Sequence, residues 1–433
     1  MMSSQPFKVA AAGIEAVSET EQALSTVGGW QAYLHEAAQC LRPYFVRRQA
    51  WQRAVAYIEA LLSTTERKNA WQLAEISGDA TPYGFQHLLG RALWQADCLR
   101  DALYTYVMAH LGDPDAVLVV DETGFVKKGS HSVGVARQYS GTAGKVENCQ
   151  IGVFVAYASR LGQTLLDRAL YLPASWIKDA GRLRRAGIAA SAGFASKPEL
   201  AKAMLERALA FGVPASWVVG DSVYGDSRRL RLWLEEQEQA HVMAVSGKTY
   251  VWLQDVRQVS VKSVLGGLDA AAWQRLSAGS GSKGPRLYDW QCVRLMAPWR
   301  AGWCRYLLVR RSLKSDQKLT AYAVYARCGT DLATLVWVAG RRWCIETCFE
   351  AAKSEVGLDE YEVRSWTGWH RHVTLSMWAL ALLSVMRALQ SLPRTRSGVE
   401  EVEKKVSPTL SSLSGFKASR GLASPSCQAP GRF

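Results

Sequence analysis

Two short apolar runs that each end in an aspartate constrain the fold of this chain most strongly. Val-Leu-Val-Val-Asp occupies 117–121, and Trp-Val-Val-Gly-Asp occupies 217–221. An unbroken apolar run of this length is typical of a strand buried on both faces of a sheet that helices cover. Functional crevices of such sheets lie at the carboxyl ends of the strands. Asp121 and Asp221 are therefore expected there, where two carboxylates could share divalent cations. The alternative is that each aspartate only caps the next turn.

The predicted elements around these runs indicate an α/β fold. Strands are predicted at 116–121, 133–139, 148–158, 217–221 and 241–246, and helices at 198–211 and 227–237. The loops 124–132 and 140–147 are too short for crossover helices and suit hairpins. This order favours a mixed sheet of the ribonuclease-H type over a wholly parallel sheet. It places the first and fourth strands side by side.

A third carboxylate lies on a predicted helix far downstream, over 341–358, which we expect to end near Gly357. At about 100° per residue, Arg342, Glu346 and Lys353 fall on one face of that helix. Cations that flank a metal-binding acid suit the phosphates of a bound strand, since Arg grips them bidentately and Lys acts as a point charge. The alternative is an ordinary salt-bridge ladder, worth ~0.3 kcal/mol per pair.

The spacing of these residues resembles a signature of the DDE-superfamily transposases of bacterial insertion sequences. That signature reads Tyr, two residues, Arg, three residues, Glu, six residues, Lys. Arg342, Glu346 and Lys353 match it, whereas Ala339 stands at the tyrosine position. The segments 121–129, 137–141 and 220–225 look like the same group, and the resemblance covers about residues 30 to 390.

The resemblance implies a DNA transposase with Asp121, Asp221 and Glu346 as catalytic and metal-binding residues. These acids would hold two Mg²⁺ or Mn²⁺ ions for cleavage at the terminal inverted repeats and joining to target DNA. It also implies double-stranded DNA, both transposon ends and target, as partner, and a homodimer in the synaptic complex. Two other functions stay open: a transposase-derived DNA-binding protein without cleavage activity, and a structure-specific nuclease with the same sheet.

Three nearby acids are alternative ligands. Glu122 and Asp226 are the nearest substitutes for the first and second acids, and Glu350 for the third. Strand alternation points Asp121 and Glu122 to opposite faces, so both cannot easily face one metal pair. Glu350 lies off the face that carries Arg342 and Lys353.

Charge and composition favour a polyanionic partner. Lys and Arg number 52 against 38 Asp and Glu, which gives a net charge of +14 and a pI near 9.4. We find no secretory signal and no apolar run of transmembrane length, the longest candidate being Met377 to Met386. We expect no membrane partner and a bacterial cytoplasmic location, at the nucleoid. The nine cysteines are predicted to be reduced, mostly buried thiols.

The first part of the chain is predicted to bind DNA. We expect a flexible arm over 1–29 and a helical DNA-binding domain over 30–112. Within that domain, two helices around a break at 77–82 could form a helix-turn-helix between Glu66 and Leu93. Candidate DNA contacts there are Arg47, Arg48, His87 and Arg91. The alternative is an ordinary helical hairpin.

The predicted catalytic core comprises 113–246 and 331–392, interrupted by a β-rich insertion over 247–330. Tryptophans and basic residues alternate in the insertion, where they could track a DNA backbone or simply cover the core. The cluster Trp366, Trp369, His370, Arg371 and His372 is interpreted as DNA contact or core packing. A mobile basic tail is expected over 393–433. The further candidate DNA contacts are Lys127, Lys128, Arg137, Tyr224, Trp290 and Trp299.

Overall fold

A ten-stranded sheet runs through the part of the chain that the computed structural model describes, residues 29–189, 191–281 and 284–391. The predicted tail over 393–433 and the predicted arm, except residue 29, lie outside the described residues. Six strands form the first half of the sheet: β1 (Val117–Val126), β2 (Ala136–Ser140), β3 (Lys145–Ala158), β4 (Gln163–Tyr171), β5 (Trp217–Gly220) and β6 (Ala240–Val245).

Strand β1 lies at the centre of this half. It pairs antiparallel with β3 from Val117 opposite Ala158 to Val126 opposite Cys149. On its other side it pairs in parallel with β5, which in turn pairs in parallel with β6. The prediction that the first and fourth predicted strands are neighbours is confirmed. This mixed arrangement is consistent with a ribonuclease-H-like domain.

The sequence prediction overlooked one strand of the sheet, β4. This strand follows β3 through a tight turn in which Ser159 N donates to Gly162 O, and it covers the outer edge of β3. Its residues 164–168 are buried, including Asp167 and Arg168. Two charged residues in the middle of the segment hid the strand, because they interrupt the apolar pattern that identifies a buried strand.

The segment after β6 continues the same sheet. Strand β12 pairs antiparallel with β6, and the order then runs through β11 and β10 to β9. A separate two-stranded ribbon of β7 and β8 precedes them. All of the strands after β6 lie within 247–330, the segment that was predicted to be β-rich. The elements of this segment are β7 (Tyr250–Trp252), β8 (Gln258–Ser260), α11 (Val261–Gly266), β9 (Gln274–Gly281), β10 (Gly284–Arg294), β11 (Trp303–Arg311) and β12 (Leu319–Arg327).

Helices precede the sheet and cover it. The chain from 29 to 111 contains α1 (29–41), α2 (Arg48–Leu61), α3 (Ala70–Ile76), α4 (Tyr83–Gly90) and α5 (Ala96–Leu111). Between β4 and β6 lie α6 (Ala174–Ile177), α7 (Ala180–Ala186), α8 (Lys197–Phe211), α9 (Ser222–Gly225) and α10 (Arg228–Glu236). After the last strand come α12 (Leu332–Gly340), α13 (Trp343–Ser354) and α14 (Trp366–Ser391).

Helix α14 joins the N-terminal helices to the sheet. It packs against α2, α4 and α5 on one side and β4 on the other, within one hydrophobic cluster. Its stretch Trp366–Gln390 is long and apolar enough to cross a membrane, and 78% of the most apolar window is buried inside the protein. The expectation that no run reaches this length is therefore wrong, since the helix extends well beyond Met377 to Met386. Its apolar surface is covered by protein.

The cluster of aromatic and basic residues in α14 mainly packs in the core. Trp369 and His372 are fully buried, and His372 Nδ1 lies 2.8 Å from Tyr57 Oη of α2. Arg371 is only 7% exposed. Its guanidinium donates to four backbone carbonyls at the end of α4 and just beyond it, those of Leu88, Leu89, Ala92 and Trp94, at 2.6–3.4 Å. One side chain thus satisfies carbonyls that a helix end leaves free.

Two of the nine cysteines form a disulfide, so the prediction of a fully reduced set is wrong. Cys304 of β11 and Cys328, just after β12, are bonded with their Cα atoms 5.1 Å apart. Because β11 and β12 form a hairpin, residues 24 positions apart become neighbours at its open end. Spacing in the sequence gave no signal for this pair. The other cysteines in the described residues, which form no disulfide, are Cys40, Cys98, Cys149, Cys292, Cys344 and Cys348.

Replacement of Arg371 by alanine should destabilise the protein by about 3 kcal/mol, because four buried carbonyls would lose a charged donor. Urea unfolding followed by tryptophan fluorescence measures this loss. Amide exchange should rise first over 83–95, where the carbonyls lie. An Arg364→Ala variant, at an exposed arginine two residues before the same helix, controls for the loss of charge, and an equal effect of both variants would contradict the role of Arg371.

Acid should destabilise the fold through His372. Burial lowers the pKa of this imidazole to about 3, whereas it rises to an ordinary value of about 6.5 when the chain unfolds. The unfolded chain therefore takes up one more proton, and the stability present above pH 6.5 is lost as the pH falls toward 3. Urea titrations between pH 6 and 4 should show a pH dependence in His372→Gln that is shallower by about 1.4 kcal/mol per pH unit. Identical slopes would refute it.

Candidate active site

The two aspartates lie at the same edge of the sheet. Val120 of β1 is the partner of Gly220 of β5, and Asp121 and Asp221 directly follow these two residues in the sequence. Asp121 remains within β1, opposite Phe154 of β3. Asp221 ends its strand and caps α9, since its Oδ1 accepts from Val223 N at 2.8 Å. The capping alternative therefore applies to Asp221 without removing it from the shared edge.

Helix α13 brings Glu346 to this edge through an arginine. The Nη2 of Arg342 lies 2.6 Å from Glu346 Oε1, and its Nη1 lies 3.3 Å from Asp121 Oδ2. The guanidinium thus bridges the first and third acids. Helix α13 begins at Trp343, later than predicted, because α12 ends at Gly340 and Arg342 is the cap between them.

Burial and the negative charge of neighbouring acids raise the pKa of both aspartates at this edge. Burial, followed by the negative charge of Asp221, raises the pKa of Asp121 to about 7, although Arg342 acts in the opposite direction. Burial and then Glu122 raise the pKa of Asp221. Carboxylates crowded in this way favour either protonation or a bound cation. Arg342 supplies one positive charge to the group.

The three carboxylates are of the type that binds hard divalent ions, although they are not arranged around one metal position in this structure. Asp121, Asp221 and Glu346 offer carboxylate oxygens, the ligands that Mg²⁺ and Mn²⁺ prefer. Across 29–189, 191–281 and 284–391, no group of three or more His, Cys, Asp or Glu is arranged to hold a metal ion. The Arg342 guanidinium lies between Asp121 and Glu346, which it contacts at 3.3 and 2.6 Å.

Two of the three alternative acids, Glu122 and Asp226, already have hydrogen-bond partners. Glu122 Oε1 accepts from Lys197 Nζ at 2.6 Å, and its Oε2 accepts from Tyr224 Oη at 2.6 Å. This link between β1, α8 and α9 was not foreseen from the sequence, since its members are up to 102 positions apart. Asp226 Oδ1 accepts from Ser246 N and Thr249 Oγ1. Glu350 is exposed.

The lysines predicted to bind DNA differ in their availability. Lys353 Nζ lies 3.0 Å from Thr142 Oγ1 and 3.3 Å from Gly124 O, and it contacts none of the three acids. Lys127 Nζ sits 3.6 Å from the centre of the Tyr361 ring and donates to Tyr361 O at 3.2 Å. Burial lowers the pKa of Lys127 to about 8. Lys128 and Arg137 are exposed.

Two of the residues predicted to contact DNA, Tyr224 and Trp290, have buried side chains. Tyr224 lies inside, with its hydroxyl committed to Glu122. Trp290 packs near Tyr322, and its Nε1 donates to Leu276 O. Neither ring presents a face to solvent. Trp299 is 73% exposed, and Arg300 lies 4.9 Å from its ring, so its DNA-binding role stays a prediction.

The four N-terminal candidates lie in or directly beside α2 and α4, and their side chains are exposed. Helices α3 and α4 flank the predicted break at 77–82. Arg47 and His87 line a cleft between α2 and α4. Arg48 and Arg91 are also exposed nearby in the sequence. Their binding to DNA stays a prediction.

Comparison with known proteins identifies the family of this chain. The family model described as DDE superfamily endonuclease matches residues 40–264, just over half of the 433-residue chain. A probable transposase for insertion sequence element IS701 from Microchaete diplosiphon is 29% identical over 192 residues. That match covers 44% of this chain and 47% of the relative, so the chain spans about half the length of the curated relative that it matches. The chain belongs to the DDE superfamily endonucleases.

Proposed function

We propose that this protein is the DNA transposase of an insertion sequence, which cuts the terminal inverted repeats and joins them to target DNA by a cut-and-paste route. One observation carries the proposal: Asp121 and Asp221 follow paired residues of adjacent parallel strands, and Arg342 links Asp121 to Glu346. Family membership and the similarity to a probable transposase support it.

In this proposal Asp121, Asp221 and Glu346 hold two Mg²⁺ or Mn²⁺ ions. When bound, such ions activate a water or 3′-hydroxyl nucleophile and stabilise the leaving oxygen. The pKa of Asp121, raised to about 7 by burial, shows that its environment resists a bare carboxylate. Carboxylates at such an edge suit both hydrolysis and strand transfer, because only the nucleophile changes between the two.

Arg342 has two tasks in this scheme. Without metal, its guanidinium pairs with both Asp121 and Glu346. Once the acids hold ions, the same planar group becomes available to bind a scissile phosphate bidentately. The arginine therefore offsets part of the negative charge in the resting protein and orients DNA in the working complex.

DNA is bound on three surfaces in this proposal. Arg47, Arg48, His87 and Arg91 on the N-terminal helices contact the repeat, and Lys128 and Arg137 hold backbone beside β1. Trp299 contacts DNA from the insertion. Two subunits bring two ends together in the bacterial cytoplasm, at the nucleoid. A net charge of +14 supports such a polyanionic partner.

The variants Asp121→Asn, Asp221→Asn and Glu346→Gln should each lower Mg²⁺-dependent cleavage of DNA that carries the element's ends by roughly 10³-fold or more, because each removes a charged ligand. Binding of the ends in a gel-shift assay should persist. Glu350→Gln, on the same helix but exposed, is the matched control and should cleave normally. Full cleavage by any of the three variants would refute its assignment.

Arg342→Gln should separate metal binding from catalysis. In the absence of DNA, the variant should bind Mn²⁺ about tenfold more tightly, because a charge-assisted bridge of about 1.5 kcal/mol no longer competes for Asp121 and Glu346. Its cleavage of DNA should fall, since the phosphate loses its arginine. Titration calorimetry with Mn²⁺ and a cleavage assay measure the two effects.

Arg341→Gln is the control for this experiment. It removes the same charge one position away, where the guanidinium donates to Ser159 O and not to the acids. Weaker or unchanged Mn²⁺ binding by Arg342→Gln would show that the bridge does not compete with metal. A gain as large in Arg341→Gln would assign the effect to net charge alone.

A further inference from the structure

A groove of about 590 Å³ lies beside α10 and has no part in the acid site. Its walls are α10, the segment that follows β6 and the ribbon strand β7, and Leu295 and Met296 line it from the other side. We name it the α10 groove and define it by three cations and two aromatic residues: Arg228, Arg231, Lys248, Tyr250 and Trp252. Its volume is in the range of sites that hold small molecules.

The groove opens at the same sheet edge as the acids. Strand β6 is the parallel neighbour of β5, and it ends at Val245 just before the groove. Asp226 ties the two regions together, since it caps the end of α9 and accepts from Ser246 N at 2.8 Å. The helix that starts at Asp221 therefore leads directly to the groove wall.

Two exposed aromatic rings line the ribbon. Tyr250 is 61% exposed and Trp252 is 40% exposed, whereas Val251 between them is 5% exposed. Alternation along a strand places Tyr250 and Trp252 on one face, roughly 6.8 Å apart. This spacing is about twice the ~3.4 Å that separates stacked bases. A planar base can therefore stack on either ring or lie between them.

The cations that line the groove outnumber its acids: Arg228, Arg231, Lys248 and Arg305 face Asp226 and Glu235. Arg228 and Arg231 lie three residues apart on α10 and so share a face. Within the described ranges, Arg231 Nε is buried without a hydrogen-bond partner. The two carboxylates on the same walls are engaged: Glu235 Oε1 accepts from Arg305 Nε at 3.0 Å, and Asp226 accepts from Ser246 and Thr249. Lys248 is exposed. A bound anion would therefore meet a wall of net positive charge.

We propose that the α10 groove binds an unpaired stretch of a DNA strand, with a base on Tyr250 and Trp252 and phosphates against Arg228, Arg231 and Lys248. Unpaired DNA fits better than duplex, because the faces of paired bases are covered by their neighbours and cannot reach the rings. The combination of ring faces with a basic wall is how proteins hold single strands without reading sequence. This inference rests on the proposed function, because it gives the DNA-cutting site a neighbouring single-strand subsite.

Binding of fluorescein-labelled oligothymidylate to the full-length protein in EDTA tests the proposal. The double variant Tyr250→Ala with Trp252→Ala should bind at least tenfold more weakly by fluorescence anisotropy, since each stacked base contributes about 1–3 kcal/mol. Tyr250→Phe with Trp252→Phe should bind like the wild type, because both rings remain. Trp337→Ala, an exposed tryptophan on α12, should also bind like the wild type.

The phosphate contacts have a separate readout. Arg231→Gln should lower the slope of log affinity against log salt by about 0.7, the value expected for one lost contact with a single strand. Oligonucleotides that carry 5-iodouracil should crosslink under ultraviolet light to Tyr250 or Trp252, as identified by mass spectrometry. Equal affinity of the alanine and phenylalanine double variants, or crosslinks confined to other regions, would overturn the proposal.

The same assay separates this inference from the proposed function. Without metal, Asp121→Asn should bind oligothymidylate as tightly as the wild type, because it leaves the groove intact. If the alanine double variant cleaves end DNA normally and binds oligothymidylate as the wild type does, the groove proposal is refuted and the proposed nuclease function stands. If the wild type does not cleave and the double variant loses oligothymidylate binding, the nuclease function is refuted and the groove proposal stands.

Discussion

The parallel pairing of β1 with β5 is the constraint on which the site depends. Four consecutive residues of β1, Val117 to Val120, are fully buried and pair with the whole of β5. This register determines that the two aspartates emerge together, since a slip of one residue would turn every side chain to the opposite face. The long antiparallel pairing with β3 fixes β1 from the other side. The strands at the centre of the sheet therefore determine where Asp121 and Asp221 lie.

Charge balance at that edge explains how so many acids coexist. Arg342 pairs with both Asp121 and Glu346, while Lys197 and Tyr224 occupy the oxygens of Glu122. Asp121 and Glu122, adjacent residues of one strand, therefore belong to different networks. The Glu122 network ties α8 and α9 to β1, so it also supports the helix that Asp221 caps. Structural and candidate catalytic acids are separated by their partners.

Local patterns predicted much of this arrangement. The apolar runs before Asp121 and Asp221 predicted both strands and their adjacency, and the family that the sequence resembles is the one to which the chain belongs. Long-range burial was not readable from the same patterns. Trp290 and Tyr224 looked like surface aromatics, yet both are buried by elements distant in sequence. Charged residues concealed β4, and the Cys304–Cys328 pair depends on a hairpin register that spacing alone does not encode.

The hydrophobic cluster that joins α2, α4 and α5 to α14 has a mechanical consequence. Arg371 fastens the end of α4 to α14, and α14 lies directly on β4 of the same sheet that carries the acids. A DNA sequence held on the N-terminal helices would thus stand at a set distance from Asp121. Because this connection is packed and not a flexible linker, the fold itself would fix the number of base pairs between a bound DNA sequence and the site of cleavage.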